Sequence, residues 1–286
     1  MTEIFPKYYN KFECIKGECK HSCCIGWEID VDDETMTLYD SLNGEIGKRI
    51  RENIEGDIPH FKLKKDDRCP FLNNDGLCDI ILELGNAAIC DICRLHPRFT
   101  NMYEDFAETG LGLCCEEAAR IILCNEEKFS LPLPDFAKES EFFKERQEVF
   151  DILQDRNETV LERLKKLSRK YGYEFRFSLR ELYDFYSSLE RLDEKWAGEL
   201  DKLLYADGSK MLEREEEQIF FEQLSCYFIF RHFSSGVEFA LLSSFVLAAI
   251  CSTCTCVEEM LDVVRMYSCE IEYSEENTER VKNYLK

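Results

Sequence analysis

Proline is scarce in this 286-residue chain: all six prolines lie before residue 135 and none follows. Proline breaks helix interiors, so residues 135–286 are expected to be nearly all helical. The earlier part also holds nine of the thirteen glycines and is expected to be richer in loops. The sequence therefore predicts two regions, residues 1–130 and 131–286, with residues 131–134 as the connector.

The chain also lacks an apolar leader and an uninterrupted apolar run of membrane-spanning length. Its first residues, MTEIFPKYYNKFEC, carry charges and tyrosines where a secretory signal needs a basic start and then an apolar stretch. The apolar stretch 237–251 is interrupted by Glu238, Ser243 and Ser244 and is shorter than the roughly 20 residues of a membrane span. We expect a cytoplasmic protein without a membrane partner.

Positive charge is in short supply, since 36 Lys and Arg face 58 Asp and Glu and the formal net charge is −22. Such a surface repels nucleic-acid phosphates and anionic lipids, which bind proteins mainly through cationic side chains. No nucleic-acid partner is expected. A basic protein or a cationic small molecule is favoured electrostatically, although the acidity would also serve solubility alone.

Apolar spacing predicts the helices of the second region. Residues 160–167 and 179–189 show an apolar stripe at helical spacing, and residues 219–233 and 237–251 are apolar nearly all round, as in central helices of a bundle. In the first region, alternation from Ile25 to Val31 predicts a strand, and Asp32 or Asp33 offers an N-cap for a following helix. A tight turn is expected at residues 73–76, helices around Leu84 and residues 118–123, and a short strand at residues 111–113. The predicted fold is mainly α (α+β): a loop-rich cysteine region with short strands, packed on an all-helical bundle.

Ten cysteines crowd the first region, at Cys14, Cys19, Cys23, Cys24, Cys69, Cys78, Cys90, Cys93, Cys114 and Cys115. Without a secretory signal, thiols at such short spacing indicate a metal site rather than disulfides. A zinc site or a [4Fe–4S] cluster takes four ligands, so ten cysteines exceed one site. The neighbours Cys23 and Cys24 are expected to point to opposite faces of an extended backbone and to differ in role.

The motifs around these cysteines resemble the flagellin lysine-N-methylase family and, more distantly, small cysteine-rich zinc- or iron-chelating proteins. The resemblance covers roughly residues 10–125. It rests on an ordered set of motifs: Cys14-Ile15-x-Gly17-x-Cys19-x3-Cys23-Cys24-x-Gly26-Trp27, Cys69-Pro70-Phe71-Leu72, Asp75-Gly76-Leu77-Cys78, Leu84-Gly85, Cys93-x3-Pro97-Arg98 and Cys115-x-Glu117-Ala118-Ala119-Arg120.

The resemblance implies a [4Fe–4S] cluster, S-adenosylmethionine as methyl donor, and lysine side chains of flagellin or a similar surface protein as acceptors. Its cysteines are Cys14, Cys19, Cys23, Cys24, Cys69, Cys78, Cys93 and Cys115. Cys90 and Cys114 lie outside the family pattern and are discounted as ligands. Arg98 and Arg120 belong to the matched motifs, and a guanidinium suits the carboxylate of S-adenosylmethionine. Each arginine could instead order a cysteine-bearing loop by bonding backbone carbonyls or Glu117.

Other interpretations stay open from the sequence alone. The cysteines could hold zinc as a structural staple of a loop-rich region. The chain could also be a non-enzymatic module that holds or delivers zinc or iron, or a redox protein whose cluster only transfers electrons. The chain has neither a glycine-rich opening of a Rossmann-type methyltransferase nor the Cys-x3-Cys-x2-Cys triplet of radical S-adenosylmethionine enzymes. His21 and His96 could act as ligands, although a local hydrogen bond is the simpler role. The later cysteines, including the run Cys251-x2-Cys254-x-Cys256, are interpreted as buried thiols of the helical region.

Overall fold

A computed structural model describes residues 2–285, apart from the side chain at position 136. These residues divide into two compact units. The cysteine-rich unit is Glu13–Phe99, and the helical unit comprises the flanking residues 2–12 and 100–285. The division differs from the expected one because residues 100–123 supply strands and a helix that pack within the helical unit. The boundary at residue 130 follows composition alone and stays a prediction about functional regions.

The described residues are mainly α-helical. The helices before residue 130 are α1 (Asp33–Ser41), α2 (Gly44–Glu52), α3 (Asp79–Leu84), α4 (Asp91–Leu95) and α5 (Glu116–Leu123). The later helices are α6 (Asp135–Lys138), α7 (Glu141–Leu153), α8 (Val160–Lys170), α9 (Leu179–Ser187), α10 (Lys195–Asp201), α11 (Gly208–Met211), α12 (Gln218–His232), α13 (Glu238–Cys251), α14 (Val257–Tyr267) and α15 (Glu275–Asn283). A π-helical segment, Ser268–Glu272, follows α14.

The strands are few and short, which confirms a mainly α fold with a small β part. They are β1 (Thr2–Ile4), β2 (Ile54–Glu55), β3 (His60–Phe61), β4 (Arg98–Met102) and β5 (Phe106–Leu111). One sheet has the order β1-β5-β4, with β1 parallel to β5, and β2 pairs with β3 in antiparallel register. The short strand expected at residues 111–113 lies earlier, because the chain turns after Leu111.

The core of the helical unit forms around α12 and α13, as their apolar sequences predicted. Every residue of α13 is buried. The serines that interrupt its apolar run are hydrogen-bonded: Ser244 Oγ lies 3.0 Å from Ser225 Oγ of α12, and Ser243 Oγ accepts from Tyr267 Oη at 2.7 Å. Within residues 2–285, no helix combines the length and apolar character that crossing a membrane requires.

The amphipathic helices α8 and α9 also follow the sequence prediction. The side chain of Thr159 accepts from the backbone N–H of residue 162 at the start of α8, and Ser178 caps α9 in the same way. Such caps satisfy N–H groups that the first helical turn leaves without partners. The apolar stripes predicted for these helices bury Leu164 and Leu182 completely.

The cysteine-rich unit confirms the predicted N-cap but not the predicted strand. Asp32 Oδ1 accepts from the N–H of Thr35 at 2.9 Å at the start of α1. Residues 25–31 do not form a strand: Ile25 and Asp30 make only isolated bridges, to Arg68 and His60. The strand prediction was wrong because Gly26 adopts a φ of 94°, which breaks the extended backbone.

Candidate metal centre

Two chain segments of the cysteine-rich unit place Cys24 beside Cys69. The N–H of Cys69 donates to the carbonyl of Cys24 at 2.9 Å, and the N–H of Gly26 donates to the carbonyl of Asp67 at 3.0 Å. These reciprocal bonds align residues 24–26 with residues 67–69. Two cysteines 45 positions apart in sequence therefore become neighbours on adjacent backbone segments.

The predicted turn at residues 73–76 is confirmed, and it brings Cys78 back beside the segment that begins with Cys69. The side chain of Asn73 accepts from the N–H groups of Asp75 and Leu77, each at 3.0 Å. Gly76 has a φ of 73°, a conformation that glycine adopts without strain. The N–H of Asp79 then donates to the carbonyl of Phe71 at 2.8 Å. The turn thus folds the stretch that follows Cys69 back onto itself.

Cys93 comes from α4, whose start is fixed to the start of α1. Asp32 Oδ2 accepts from the N–H of Asp91 at 2.8 Å, so one carboxylate caps α1 and holds α4. Cys90 lies one turn before Cys93 and is buried in the core of the unit. Tyr39 Oη lies 3.7 Å from Cys90 Sγ.

The electrostatics show that four of these thiols influence one another. Burial raises the pKa of Cys69 to about 12, and the charges of Cys24 and Cys78 add to the rise. Burial also raises the pKa of Cys78 and of Cys93, again with a contribution from the charge of Cys24. Thiolates gathered here therefore repel each other, and a bound cation would relieve that repulsion.

Backbone N–H groups also donate hydrogen bonds to two of these sulfurs, those of Cys69 and Cys78. The N–H groups of Phe71 and Leu72 donate to Cys69, and those of Ile80 and Ile81 donate to Cys78; in each case they lower the thiol pKa against the effect of burial. Hydrogen bonds to cysteine sulfur stabilise the thiolate and tune metal–thiolate centres. Cysteine sulfurs with backbone N–H donors are the chemical groups of a thiolate metal site, and metal binding by these cysteines stays a prediction.

Cys23 and Cys24 do not point apart, and that expectation was wrong. The Cys23 thiol donates a hydrogen bond to Cys24. The physical reason is that residues 22–25 form a turn, in which the N–H of Ile25 donates to the carbonyl of Ser22 at 3.2 Å, rather than an extended backbone. The hydrogen bond from Cys23 lowers the pKa of Cys24 to about 7, with smaller contributions from Ser22 and the charge of Arg68.

Cys14 and Cys19 lie on the loop that precedes this turn. Cys14 is exposed and its Sγ accepts from the N–H of Lys16 at 3.4 Å, while Cys19 is half-buried. The charge of Cys14 contributes to the raised pKa of Cys23, after the hydrogen bond to Cys24, burial and the charge of Cys24. A loop contact between Gly17 and residues 75–76 fixes this segment against the turn.

Cys115 belongs to the helical unit, where it immediately precedes α5. Its neighbour Cys114 donates from Sγ to Tyr273 Oη at 2.9 Å. Burial raises the pKa of Cys114, and the charges of Cys269 and Cys115 contribute. The role of Cys115 as a metal ligand stays a prediction.

Cys90 was not predicted to be a metal ligand. Its charge is the largest contribution after burial to the raised pKa of Cys93, so its thiol lies within the same gathering. The signal was present in the sequence as Cys90-x2-Cys93, a spacing that places both residues on one face of a helix.

The two arginines make the loop contacts weighed above as the alternative to donor binding. Arg98 Nη1 donates to the carbonyl of His96 at 3.5 Å. Burial, together with the charge of Arg98, lowers the pKa of His96 to about 4. Arg120 donates from Nε and Nη2 to both carboxylate oxygens of Glu117, at 2.7 and 2.6 Å, on an exposed face of α5. Binding of S-adenosylmethionine by either arginine stays a prediction.

The thiols are neighbours, but they do not surround a common centre as they stand. Among residues 2–285, no group of three or more Cys, His, Asp or Glu side chains is arranged to hold a metal ion. All sixteen cysteines of the described chain are free thiols. The candidate centre is therefore the gathering of Cys24, Cys69, Cys78 and Cys93, with Cys23 and Cys90 beside it.

Comparison with known proteins gives partial matches. No protein-family model matches the chain, and no solved structure matches it. The chain is 28% identical over 145 residues to the flagellar biosynthetic protein FliU of Salmonella muenchen. This match covers 46% of the chain and 82% of FliU.

Two lysine-N-methylases also match, from Salmonella typhimurium and Salmonella choleraesuis. Each is 26% identical over 139 residues, a match that covers 46% of this chain and 35% of the methylase. The chain thus spans about a third of the length of these two proteins. These relatives confirm the resemblance to the lysine-N-methylase family that the cysteine motifs predicted.

Proposed function

We propose that this chain takes part in S-adenosylmethionine-dependent N-methylation of protein lysines, on flagellin or a similar surface protein. The observation that carries the proposal is the similarity to two proteins named lysine-N-methylase and to a flagellar biosynthetic protein. The acidic chain, with a net charge of −22, suits a lysine-bearing substrate electrostatically.

The metal in this proposal is a [4Fe–4S] cluster bound by cysteines of the cysteine-rich unit. Cys24, Cys69, Cys78 and Cys93 supply the number of thiolates that one such cluster takes. When bound, the cluster would supply electron-transfer capacity and would fix the loops that carry its ligands. Four thiolates also suit zinc, so the donor set supports zinc as the alternative metal.

S-adenosylmethionine would supply the methyl group that the lysine amine accepts. Only the neutral amine is a nucleophile, and the ordinary lysine pKa is about 10.4, so the site must desolvate the amine or place a base beside it. Arg98 of the cysteine-rich unit, or Arg120 of the helical unit, is proposed to hold the donor carboxylate. Their contacts to His96 and Glu117 also support a structural role.

The first experiment tests the enzymatic activity. Protein purified without oxygen is incubated with S-adenosylmethionine and flagellin, and the flagellin is examined by intact mass spectrometry. The expected result is a gain of whole methyl units located on lysines, absent when the donor or the protein is omitted. Unmodified flagellin, together with reversible bleaching of the protein by dithionite, would support a redox role instead.

The second experiment tests the metal. Anaerobic protein is expected to be brown and to contain iron and acid-labile sulfide. Cys24→Ser and Cys69→Ser should lose most of this metal, whereas Cys124→Ser, an exposed cysteine of the helical unit, should retain it. Colourless protein with stoichiometric zinc would exclude the cluster and leave the zinc alternative.

The third experiment assigns the arginines. If Arg98 holds the donor, Arg98→Ala should weaken S-adenosylmethionine binding in a calorimetric titration while metal content stays unchanged. Metal loss with intact donor affinity would assign Arg98 to ordering the cysteine loop. The same titration on Arg120→Ala tests the second proposed arginine. Arg180→Ala provides the matched control, because Arg180 is an exposed arginine paired with Asp184 and is not a proposed donor contact.

A further inference from the structure

The end of α13 carries a pair of cysteines that the candidate metal centre does not use. Cys251 is the last residue of α13 and is completely buried, while Cys254 is half-buried in the turn that follows. The N–H of Cys254 donates to the carbonyl of Cys251 at 2.9 Å, which closes a four-residue turn. We propose that Cys251 and Cys254 form a redox-active dithiol that reacts with small disulfides such as glutathione disulfide.

The backbone geometry brings the two residues within reach of a disulfide. In a β-turn the first and fourth Cα atoms lie less than about 7 Å apart. Disulfides need Cα separations of roughly 4.4–6.8 Å. The thiol of Cys251 already donates a hydrogen bond to the sulfur of Cys254. The side chains therefore face each other, as a disulfide between them requires.

The two thiols differ in the way that dithiol exchange requires. The hydrogen bond from Cys251 lowers the pKa of Cys254, and the nearby ammonium of Lys202 lowers it further against partial burial. Burial and the hydrogen bond to Cys254 raise the pKa of Cys251 well above its ordinary value. Cys254 is thus the accessible nucleophile and Cys251 the protected second thiol.

The Lys202 side chain is held in place beside the pair. Its Nζ donates to Glu199 Oε2 at 2.7 Å. The carboxylates of Glu199 and Glu259 act in the opposite direction and raise the pKa of Cys254, by smaller amounts than the hydrogen bond from Cys251 lowers it. Glu259 is itself engaged, since it accepts from the N–H of Thr255 at 2.7 Å.

The reaction balances in two exchange steps. The Cys254 thiolate attacks one sulfur of glutathione disulfide, the glutathione S–S bond breaks, and one glutathione leaves and takes up the proton of Cys254. The Cys251 thiol then loses its proton and attacks Cys254 Sγ, which releases the second glutathione with that proton. The two protein thiols are oxidised to one disulfide, and glutathione disulfide is reduced to two glutathione molecules.

The test uses the full chain and mass spectrometry. Trypsin cleavage after Arg231 and Arg265 leaves Cys251, Cys254 and Cys256 in one peptide, 232–265. The Cys256→Ser variant therefore serves as the parent, because it removes the exposed neighbouring thiol. After incubation with glutathione disulfide and alkylation, this peptide should lose two hydrogens and carry no alkyl group.

Two further variants identify the order of the steps. Cys254→Ser in the Cys256→Ser parent should abolish the bridge and leave Cys251 unmodified by glutathione. Cys251→Ser should trap one glutathione on Cys254. A parent peptide that carries stable glutathione on Cys254 without a bridge, or that remains fully alkylated, would overturn the proposal. Cys254 is half-buried, so the parent and its Cys254→Ser variant test the bridge without a change at the buried Cys251 position.

Discussion

At the scale of single residues, the surroundings of a charge decide what it contributes. Arg146 and Glu108 form a bidentate pair with N–O distances of 2.6 and 2.8 Å, and both side chains are essentially inaccessible. Arg120 and Glu117 form a pair of similar geometry, but the Arg120 side chain is 57% exposed. Water and salt screen the exposed pair and leave the buried one undiminished.

The first prediction contrasts these pairs. Arg146→Met should lower the free energy of unfolding by about 3–5 kcal/mol, because Glu108 is left buried without a cation. Arg120→Ala should change it by less than about 1 kcal/mol. Urea denaturation of both variants measures the difference. The double variant Arg146→Met with Glu108→Leu should recover most of the loss. Equal effects of Arg146→Met and Arg120→Ala would show that burial does not set the contribution of these ion pairs.

At the scale of elements, the turn at residues 73–76 and the loop that carries Cys14 and Cys19 depend on a close backbone contact. A Cβ atom on Gly17 would lie 2.6 Å from the carbonyl oxygen of Asp75, closer than atoms approach without displacement. The Asp75 oxygen belongs to the backbone, so it cannot move aside as the end of a flexible side chain would. The contact therefore fixes the cysteine loop to the turn.

The second prediction follows from that contact. Gly17→Ala should lower the stability of the cysteine-rich unit by about 1–3 kcal/mol and reduce the metal bound per chain. Gly198→Ala is the control, since a Cβ there meets no atom within 4 Å and α10 has ordinary helical geometry. Metal analysis and denaturation of both variants test this, and full metal content in Gly17→Ala would show that the loop is not part of the centre.

The π-helical segment Ser268–Glu272 is a second element whose geometry sets the state of a charge. It ends on Glu272, whose side chain is completely buried. Glu272 accepts from His232 Nε2 at 2.7 Å, from Ser268 Oγ at 2.6 Å and from Tyr227 Oη at 3.0 Å. Burial alone would raise the pKa of Glu272, but the charge of Arg231 and the hydrogen bond from His232 outweigh it and lower the pKa.

The third prediction concerns pH. Because the pKa of Glu272 is lower in the folded chain than its ordinary value of 4.5, its stabilising contribution is present above about pH 4.5 and is lost as the pH falls through the folded pKa. Glu272→Gln should cost about 3–5 kcal/mol at pH 7, since Arg231 loses its buried partner. The difference from the parent should shrink below pH 4.5 in denaturation measured across pH. Glu276→Gln, on the exposed side of α15, should show no such pH-dependent difference.

At the scale of the whole molecule, the net charge of −22 governs encounters with other molecules. Such a surface attracts cationic partners over distances of about 8 Å at physiological salt and repels anionic ones. The same charge accounts for the expectation that nucleic acid and anionic membranes are not partners.

The fourth prediction tests the electrostatic attraction between the acidic chain and a cationic partner. The rate of association with flagellin, the substrate proposed above, should fall steeply as ionic strength rises, because salt screens the attraction. Stopped-flow binding at increasing salt measures it, with a substrate whose lysines are acetylated as the control. A rate independent of salt, or retention of the chain on immobilised DNA, would show that the net charge does not guide recognition.

The sequence was enough to predict the main helices, but not which cysteines lie next to one another. The apolar patterns of α8, α9, α12 and α13 and the cap at Asp32 are local signals, and the structure confirms them. The strand predicted at residues 25–31 does not form, because the positive φ of Gly26 interrupts the extended backbone that the alternating pattern predicted. The closeness of Cys23 and Cys24 was missed for the same kind of reason, since a turn replaced the assumed extended backbone.

What the sequence determined by itself is the mainly helical fold, the acidic surface and the relationship carried by the cysteine motifs. These depend on periodicity, composition and short spacing, which are properties of neighbouring residues. Only the tertiary structure decided that Cys24 lies against Cys69, that Cys90 joins the gathering, and that Cys251 faces Cys254 across a turn. Those contacts arise from backbone pairing and turn geometry, which bring thiols together in a way that no count of intervening residues specifies.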